Sequence, residues 1–242
     1  MNSSRSISSF LRTKGVSISA LAIGASLTLF SVQRSAPAYV SLSAPISIFQ
    51  LEQGTHLTPQ QLAAVEEDLR SALTYGVNEA EFNSQLSNIS LRRLLADQTH
   101  TATREELLET LKSVEAALKG RPLDAYLWTR YTHISYLLDG LSPYTLAALD
   151  RSFQYGAKER QLFQFRMILC LAEWERLPVA LREKVRKQIA FGASHPRVWG
   201  YVLADLPEGA NKRLLGFLAQ TSANVERARQ IERSLRQRRE AI

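Results

Sequence analysis

Residues 103–156 decide the fold, and they read TREELLETLKSVEAALKGRPLDAYLWTRYTHISYLLDGLSPYTLAALDRSFQYG. Apolar residues recur here every three or four positions, which is the spacing of the buried side of an α-helix. Helix start and stop signals divide the stretch at Thr103 to Glu106, Gly120 to Pro122, Gly140 to Pro143, and Gly156. The stretch therefore predicts three short helices joined by tight turns.

The same pattern extends outward, beginning at the capping signal Thr58-Pro59 and continuing to the C-terminus. No segment alternates apolar and polar residues with a period of two, so we predict no sheet. Short helices joined by short links pack as antiparallel hairpins. We expect an all-α domain of helical hairpins over residues 58–220, followed by a basic helix over residues 221–242.

The hairpins begin near Thr103, Ser142 and Leu177, at intervals of 39 and 35 residues. These intervals are close to the period of tetratricopeptide units, which stack into an array. The large aromatic and small residues that such a unit needs are present as Trp128, Tyr131, Ala147 and Ala148. The alternative is a non-repetitive helical bundle.

Eleven positions in residues 122–190 resemble degenerate tetratricopeptide-like proteins found with bacterial polysaccharide biosynthesis and export machinery. They are Pro122, Trp128, Gly140, Leu149, Ser152, Gly156, Glu159, Arg166, Trp174, Leu177 and Arg182. The sequence departs from that group at Gly156-Ala157, where the group has Gly-Pro before the glutamate. The resemblance implies a helical accessory protein of the cell envelope, and it transfers no catalytic residue.

Residues 16–32 form an apolar run, VSISALAIGASLTLFSV, without a charged side chain. Residues 1–15 form a basic flank that contains Arg5, Arg12 and Lys14 and no acid. As a helix the run would span about 25 Å, which is near the lower limit for crossing a bilayer. Basic flanks stay on the cytoplasmic side. We therefore expect a single-pass inner-membrane protein whose C-terminal domain lies outside the cytoplasm.

A cleaved signal peptide is the alternative, with cleavage after Ala38 releasing a periplasmic or secreted protein. A transit peptide would also be rich in Ser and Arg, but it would be amphipathic rather than uniformly apolar. Residues 33–57 contain Pro37, Pro45 and several serines, and they predict a linker or a loosely packed lead-in.

The net charge of +7 belongs to the ends of the chain. Residues 1–51 carry +4, residues 225–242 carry +3, and residues 52–224 hold 20 basic and 20 acidic side chains. A nucleic-acid-binding protein would carry a basic stripe on its folded body. Nucleic acid is therefore not an expected partner.

The sequence contains no motif for a nucleotide, a metal or a nucleophile, so we expect no enzymatic activity and no cofactor. The single cysteine, Cys170, lies in an apolar run and predicts a buried thiol. Glu173 and Glu175 flank Trp174, which is the composition of a sugar-processing site. Side chains two apart on a helix diverge, and this favours a core role for Trp174. A polysaccharide-processing enzyme or accessory with such a carboxylate site is the alternative function.

The basic C-terminal helix offers a contact for anionic lipid or an acidic polymer. Its cations are Arg227, Arg229, Arg233, Arg236, Arg238 and Arg239. Three glutamates in the same segment favour the simpler interpretation, a solvated helix. We expect a membrane-tethered or periplasmic scaffold that binds proteins of the envelope, in polysaccharide biosynthesis or export.

Overall fold

The computed structural model describes residues 4–52, 55, 57–96, 101–193, 213, 214 and 217. All regular structure in these residues is helical, which confirms the prediction of an all-α chain. The chain divides into two compact units, Met1–Ala102 and Thr103–Ile242. We predicted one domain over residues 58–220, but the structure has a boundary inside that range. The physical reason is that each unit has its own hydrophobic core.

The first unit contains helices α1 (Ser4–Val40), α2 (Ser43–Glu52), α3 (Pro59–Leu73) and α4 (Glu79–Ala96). Its core combines one residue of α2 with the apolar stripes of α3 and α4. The core residues are Ala44, Leu62, Val65, Leu69, Ala72, Phe82, Leu86 and Ile89. Two antiparallel stripes of this kind bury apolar surface without a sheet, as the helical spacing in the sequence predicts.

Helix α3 begins at the predicted capping box. The Gln61 amide N–H donates to the Thr58 hydroxyl at 3.2 Å, and the Thr58 amide N–H donates to Gln61 Oε1 at 2.8 Å. The helix ends before Gly76, whose φ of 64° is in the left-handed region that favours glycine. The capping residues and the glycine can both be recognised in the sequence, because capping is a local interaction.

The linker predicted over residues 33–57 is not what the structure shows for residues 33–52. Residues 33–40 continue α1, and residues 43–52 form α2. One side of this segment is buried through Pro37, Ser41, Ala44 and Ser47, and both helices contact α3. The Ser43 hydroxyl also donates to Asp68 Oδ2 on α3 at 2.5 Å. Packing of small residues against α3 outweighs the helix-breaking signals of the two prolines.

The apolar run of residues 16–32 lies on α1. Its large apolar side chains between residues 21 and 32 are exposed, and these are Leu21, Ile23, Leu27, Leu29, Phe30 and Val32. Across the described part of the chain, no helix combines the length and the apolar character needed to cross a membrane.

The second unit contains helices α5 (Arg104–Gly120), α6 (Ala125–Asp139), α7 (Pro143–Tyr155), α8 (Phe163–Ala172) and α9 (Val179–Ala193). Short 3₁₀ helices at Arg160–Leu162 and Trp174–Arg176 precede and follow α8. The largest cluster of buried side chains joins α7, α8 and α9 and includes Leu149, Phe153, Met167, Leu171, Leu181, Val185 and Ile189.

Local signals again mark the helix boundaries of this unit. Thr103 and Glu106 form a capping box at the start of α5. The Ser142 hydroxyl accepts the Thr145 amide N–H at 3.1 Å and caps α7. Gly140 ends α6 with a φ of 66°. The predicted starts and stops over residues 103–156 are therefore confirmed.

Helices α6 and α7 are antiparallel. The hydroxyls of Thr129 and Ser152 lie 2.5 Å apart, and the first residue of α6, Ala125, lies against Gly156, which follows the last residue of α7. Helices α5 and α6 are also antiparallel, because Arg104 donates to the Leu138 carbonyl at 3.3 Å. Helices α5, α6 and α7 therefore pack side by side as one antiparallel layer.

Candidate functional site

An open groove of about 410 Å³ lies on α5, α6 and α7. We call it the aromatic groove, because three of its side chains are aromatic. Its residues are Glu115, Leu118, Lys119, Trp128, Tyr131, Tyr144, Ala147, Ala148 and Arg151. The structure thus brings together the two aromatic and two small residues that suggested a tetratricopeptide unit. Clefts of this size hold small ligands or single anchor side chains of a partner.

Trp128 is held in place from several directions. Its indole N–H donates to the Pro122 carbonyl at 2.7 Å. The Arg151 guanidinium lies 4.4 Å from the centre of its ring, within the range of a cation–π contact. Tyr131 packs against it with ring centres 5.9 Å apart. A rigid aromatic wall of this kind loses little conformational entropy when a ligand binds.

The two tyrosines of the groove differ in environment. Tyr131 is partly buried, and desolvation, followed by the negative charge of Glu115, raises the pKa of its hydroxyl. It is therefore a neutral O–H donor at physiological pH. Tyr144 is 75% exposed, so most of its ring is free to contact a partner. Large aromatic side chains with such exposure are favoured contact residues at protein interfaces.

Charged side chains border this apolar surface. Glu115 and Lys119 come from α5, and Arg151 comes from α7. Ala147 and Ala148 leave space on the α7 side of the groove, because neither side chain extends beyond its β-carbon. The groove therefore combines an aromatic surface, a tyrosine hydroxyl and charges of both signs.

A buried cation fixes the helices that carry the groove. Arg166 on α8 has no exposed surface. Its Nε donates to the Ser152 hydroxyl at 2.9 Å, and its terminal nitrogens donate to the Ser152 and Gly156 carbonyls. These carbonyls belong to the last turn of α7 and its C-cap, where the helix dipole favours a positive charge. Desolvation lowers the pKa of Arg166 to about 10, so it remains charged at neutral pH.

Gly156 permits the close approach of α6 and α7. A β-carbon at this position would lie 2.5 Å from the Ala125 β-carbon and 3.3 Å from a terminal nitrogen of Arg166. Glu159, three residues on, accepts the Tyr126 hydroxyl at 3.0 Å. The resemblance residues Ser152, Gly156, Glu159 and Arg166 therefore belong to one structural junction between α6, α7 and α8.

Sequence analysis did not identify this junction. The only local signal is a cation inside the apolar run that forms α8, and such a residue is buried only when it has partners. The partners lie 10 and 14 residues earlier in the chain, and no helical period links them to Arg166.

The carboxylates around Trp174 do not form a sugar platform. Trp174 is buried and contacts Phe217 with ring centres 4.7 Å apart, as its predicted core role requires. Glu173 accepts hydrogen bonds from Tyr136 at 2.7 Å and Arg176 at 2.9 Å. Glu175 is paired instead with Arg213. The two carboxylates therefore pair with different partners, and the indole of Trp174 between them is buried.

Cys170 and His133 are structural side chains. Cys170 is fully buried, as predicted, and burial raises the pKa of its thiol to about 12, so no thiolate forms at neutral pH. His133 stacks on Phe165 with ring centres 4.3 Å apart, and burial lowers its pKa to about 4. Within the described ranges, no three His, Cys, Asp or Glu side chains come close enough together to hold a metal ion.

Several predicted features lie outside the described residues. They include the basic helix over residues 221–242 with all six of its arginines. Both interpretations of this helix, a solvated helix and a contact for anionic lipid or an acidic polymer, therefore stay as the sequence leaves them.

Comparison with known proteins adds no relative: no family model, curated protein or solved structure matches the chain.

Proposed function

We propose that the protein is a non-enzymatic scaffold, tethered to a membrane, that binds a partner protein in the aromatic groove. The observation that carries this proposal is the groove itself, an aromatic surface with Trp128 held rigid and Tyr144 exposed. Trp, Tyr and Arg are the residues that contribute most to binding energy at protein interfaces, and the groove contains all three.

The partner that fits is an extended or helical polypeptide segment with an apolar anchor side chain. The anchor would enter between Tyr131 and Tyr144, and flanking charges would pair with Glu115 and Arg151. The antiparallel hairpin of α6 and α7 supports this proposal, because arrays of helical hairpins present grooves to peptides. The resemblance over residues 122–190 supports a role in envelope polysaccharide biosynthesis or export.

The groove is tested by site-specific photo-crosslinking in the native host. Benzoylphenylalanine in place of Tyr144 is expected to form a discrete adduct with one envelope protein. The same group in place of Val179 is the matched control, since Val179 is 74% exposed and is not part of the groove. The adducts are separated by electrophoresis and identified by mass spectrometry.

Reversal of a groove charge should reduce the yield of the Tyr144 adduct. Arg151→Glu reverses the charge beside Trp128, and we expect the Tyr144 adduct to fall about tenfold, the order of effect of a central interface residue. Adducts of equal yield at Tyr144 and Val179, or an adduct insensitive to Arg151→Glu, would exclude the groove as the binding surface.

The proposed tether rests on residues 16–32. The run holds no charge, and its six large apolar side chains between Leu21 and Val32 are exposed. Exposed apolar side chains continue beyond α1 at Leu42, in the turn before α2, and at Ile46 and Phe49 on α2. Apolar side chains in this quantity are stable at a lipid surface and costly in water.

A retained anchor is favoured over a cleaved signal. Cleavage after Ala38 would cut α1 within the segment that contacts α3, next to the buried Pro37 and Ser41. With a retained anchor, the basic flank of residues 1–15 would stay in the cytoplasm, and residues 40–242 would lie outside it.

Charged substitutions in the run test the tether. The full-length protein is expected to stay with membranes through high salt and alkaline carbonate. Ile23→Lys with Leu27→Lys should release most of it, because each central charge costs about 3 kcal/mol. Gln33→Lys, next to Arg34, is the control and should remain membrane-bound. N-terminal sequencing should recover the chain uncut, and a mature chain beginning at Tyr39 would contradict the anchor.

A further inference from the structure

Helix α2 is apolar on two opposite sides. Its inner side packs on the core of the first unit through Ala44 and Ile48. Its outer side carries Ile46 and Phe49, and these two side chains and that of Leu42, in the turn before the helix, are each more than half exposed. A helix that is apolar on every side is stable when every side is covered by an apolar environment. The outer side of α2 therefore lacks the cover that its composition requires.

The neighbouring helix α3 has the pattern of a helix that faces water. It buries Leu62, Val65 and Leu69, and its exposed residues include Gln60 and Glu67. The same unit thus gives one helix a polar outer side and the other an apolar one. The apolar outer side of α2 is a property of that helix and does not follow from the small size of the unit.

The surroundings of this face contain no charge. No charged residue occurs between Arg34 and Glu52. Within residues 42–50, Gln50 is the only exposed residue whose side chain can form a hydrogen bond. Interfaces between proteins combine an apolar centre with a polar rim and many hydrogen bonds. The acyl boundary of a bilayer needs no polar partner, so lipid fits this face better than a second protein does.

The distance along the chain from the basic flank supports the same occupant. Tyr39 is 74% exposed and lies 23 residues after Val16. Residues 16–38 extend about 34 Å as a helix, which matches a hydrocarbon core of about 30 Å crossed at a modest tilt. Tyr39 would then lie at the outer lipid–water boundary, where tyrosine is enriched. The guanidinium of Arg34, five residues earlier, would reach the same boundary on its long side chain.

The turn between α1 and α2 keeps the face close to this boundary. The Ser41 amide N–H donates to the Pro37 carbonyl at 3.0 Å, and the Leu42 amide N–H donates to the Tyr39 carbonyl at 3.4 Å. No extended linker separates the two helices, so Leu42 and the exposed residues of α2 follow Tyr39 directly.

We propose that the outer side of α2 lies in the lipid–water interface of the membrane that α1 crosses. Leu42, Ile46 and Phe49 enter the boundary between headgroups and acyl chains, and the first unit is held to the bilayer by a crossing helix and a surface helix. This contact rests on the tether proposed above. It requires no particular headgroup, because the face carries no charge.

Nitroxide labels on single cysteines measure this contact in the full-length protein in phosphatidylcholine nanodiscs. Cys170 is fully buried and stays unlabelled, so the label attaches only to an introduced cysteine. Labels on Ile46→Cys and Phe49→Cys should collide with oxygen, which concentrates in lipid. They should collide with a water-soluble nickel chelate at least about threefold less often than the label on Ala63→Cys, an exposed position of α3.

A label on Leu27→Cys separates this proposal from the tether. A label in lipid at position 27 with labels in water at positions 46 and 49 would overturn the α2 contact and keep the tether. The reverse result would overturn the tether and keep the α2 contact, and labels in water at all three positions would overturn both. Labels at 46 and 49 that are shielded from both reagents and magnetically coupled between two chains would identify a second copy, which would also overturn the lipid contact.

A charged substitution tests the face independently. Phe49→Asp should at least about double the collisions of a label on Ile46→Cys with the nickel chelate, because a carboxylate is costly among acyl chains. Val179→Asp is the matched control, since it makes the same kind of change at a 74% exposed side chain of the second unit, and it should leave these collisions unchanged. Both replaced side chains are exposed, so the variants should fold. Equal collision rates with and without Phe49→Asp would overturn the proposal.

Discussion

Ser152→Ala is expected to lower the free energy of unfolding of the second unit by about 2 kcal/mol. The hydroxyl it removes is the acceptor for Arg166 Nε at 2.9 Å. Arg166 has no exposed surface, so water does not replace the lost partner. A buried charged donor left without an acceptor costs more than the hydrogen bond contributed, because its desolvation is no longer compensated.

The cost should depend on the presence of the cation. In an Arg166→Met background no buried N–H is orphaned and only the hydroxyl contact with Thr129 is lost, so Ser152→Ala should then cost about 0.5 kcal/mol. The coupling between the two positions is thus about 1.5 kcal/mol. Ser113→Ala is the matched control, since Ser113 lies on α5 and makes only a long hydrogen bond of 3.5 Å.

Urea unfolding followed by tryptophan fluorescence measures these changes in the full chain. All three tryptophans, at positions 128, 174 and 199, belong to the second unit, residues 103–242. A loss of about 2 kcal/mol should lower the urea midpoint by about 1 M. An equal cost of Ser152→Ala with and without Arg166 would show that the buried cation does not depend on this hydroxyl.

Gly156→Ala is expected to cost about 2 kcal/mol as well, for a steric reason. The added β-carbon would lie 2.5 Å from the Ala125 β-carbon, which is a distance that real β-carbons essentially never show. Ala125 is the first residue of α6, so relief of the clash requires α6 and α7 to separate at this end. Forcing an extra carbon into a packed contact costs on the order of 1–3 kcal/mol.

A second substitution should recover the loss. Ala125→Gly removes the opposing β-carbon, and the double variant Ala125→Gly/Gly156→Ala should be more stable than Gly156→Ala alone by about 1 kcal/mol. Ala125→Gly by itself should be mildly destabilising, as glycine is in a helix. If the double variant shows the plain sum of the two single losses, the contact between these positions is not the reason for the glycine.

The junction and the groove account for several of the residues that carry the resemblance. Gly140, Ser152, Gly156 and Arg166 are needed to end two helices and to hold a third against them. Trp128 is the member of the set that also reaches the aromatic groove. These residues therefore have structural roles, and the proposed partner would instead contact Tyr144, Arg151 and other groove residues that lie outside the set.

The sequence by itself determined the helices of residues 58–96 and 103–193. Their boundaries depend on capping hydroxyls, prolines and left-handed glycines such as Thr58, Thr103 and Gly140, and these interactions extend over only a few residues. Burial of Cys170 and Trp174 followed from the same helical spacing.

The tertiary structure alone decided the rest. Residues 33–52 are helical because small side chains on one face contact α3, although their prolines and serines indicate a linker. The boundary after Ala102 reflects two separate cores. The Arg166 junction joins residues that are 10 and 14 positions apart. Local propensity does not predict such contacts. Their free energy comes from the burial and pairing of groups that meet only after the helices have packed.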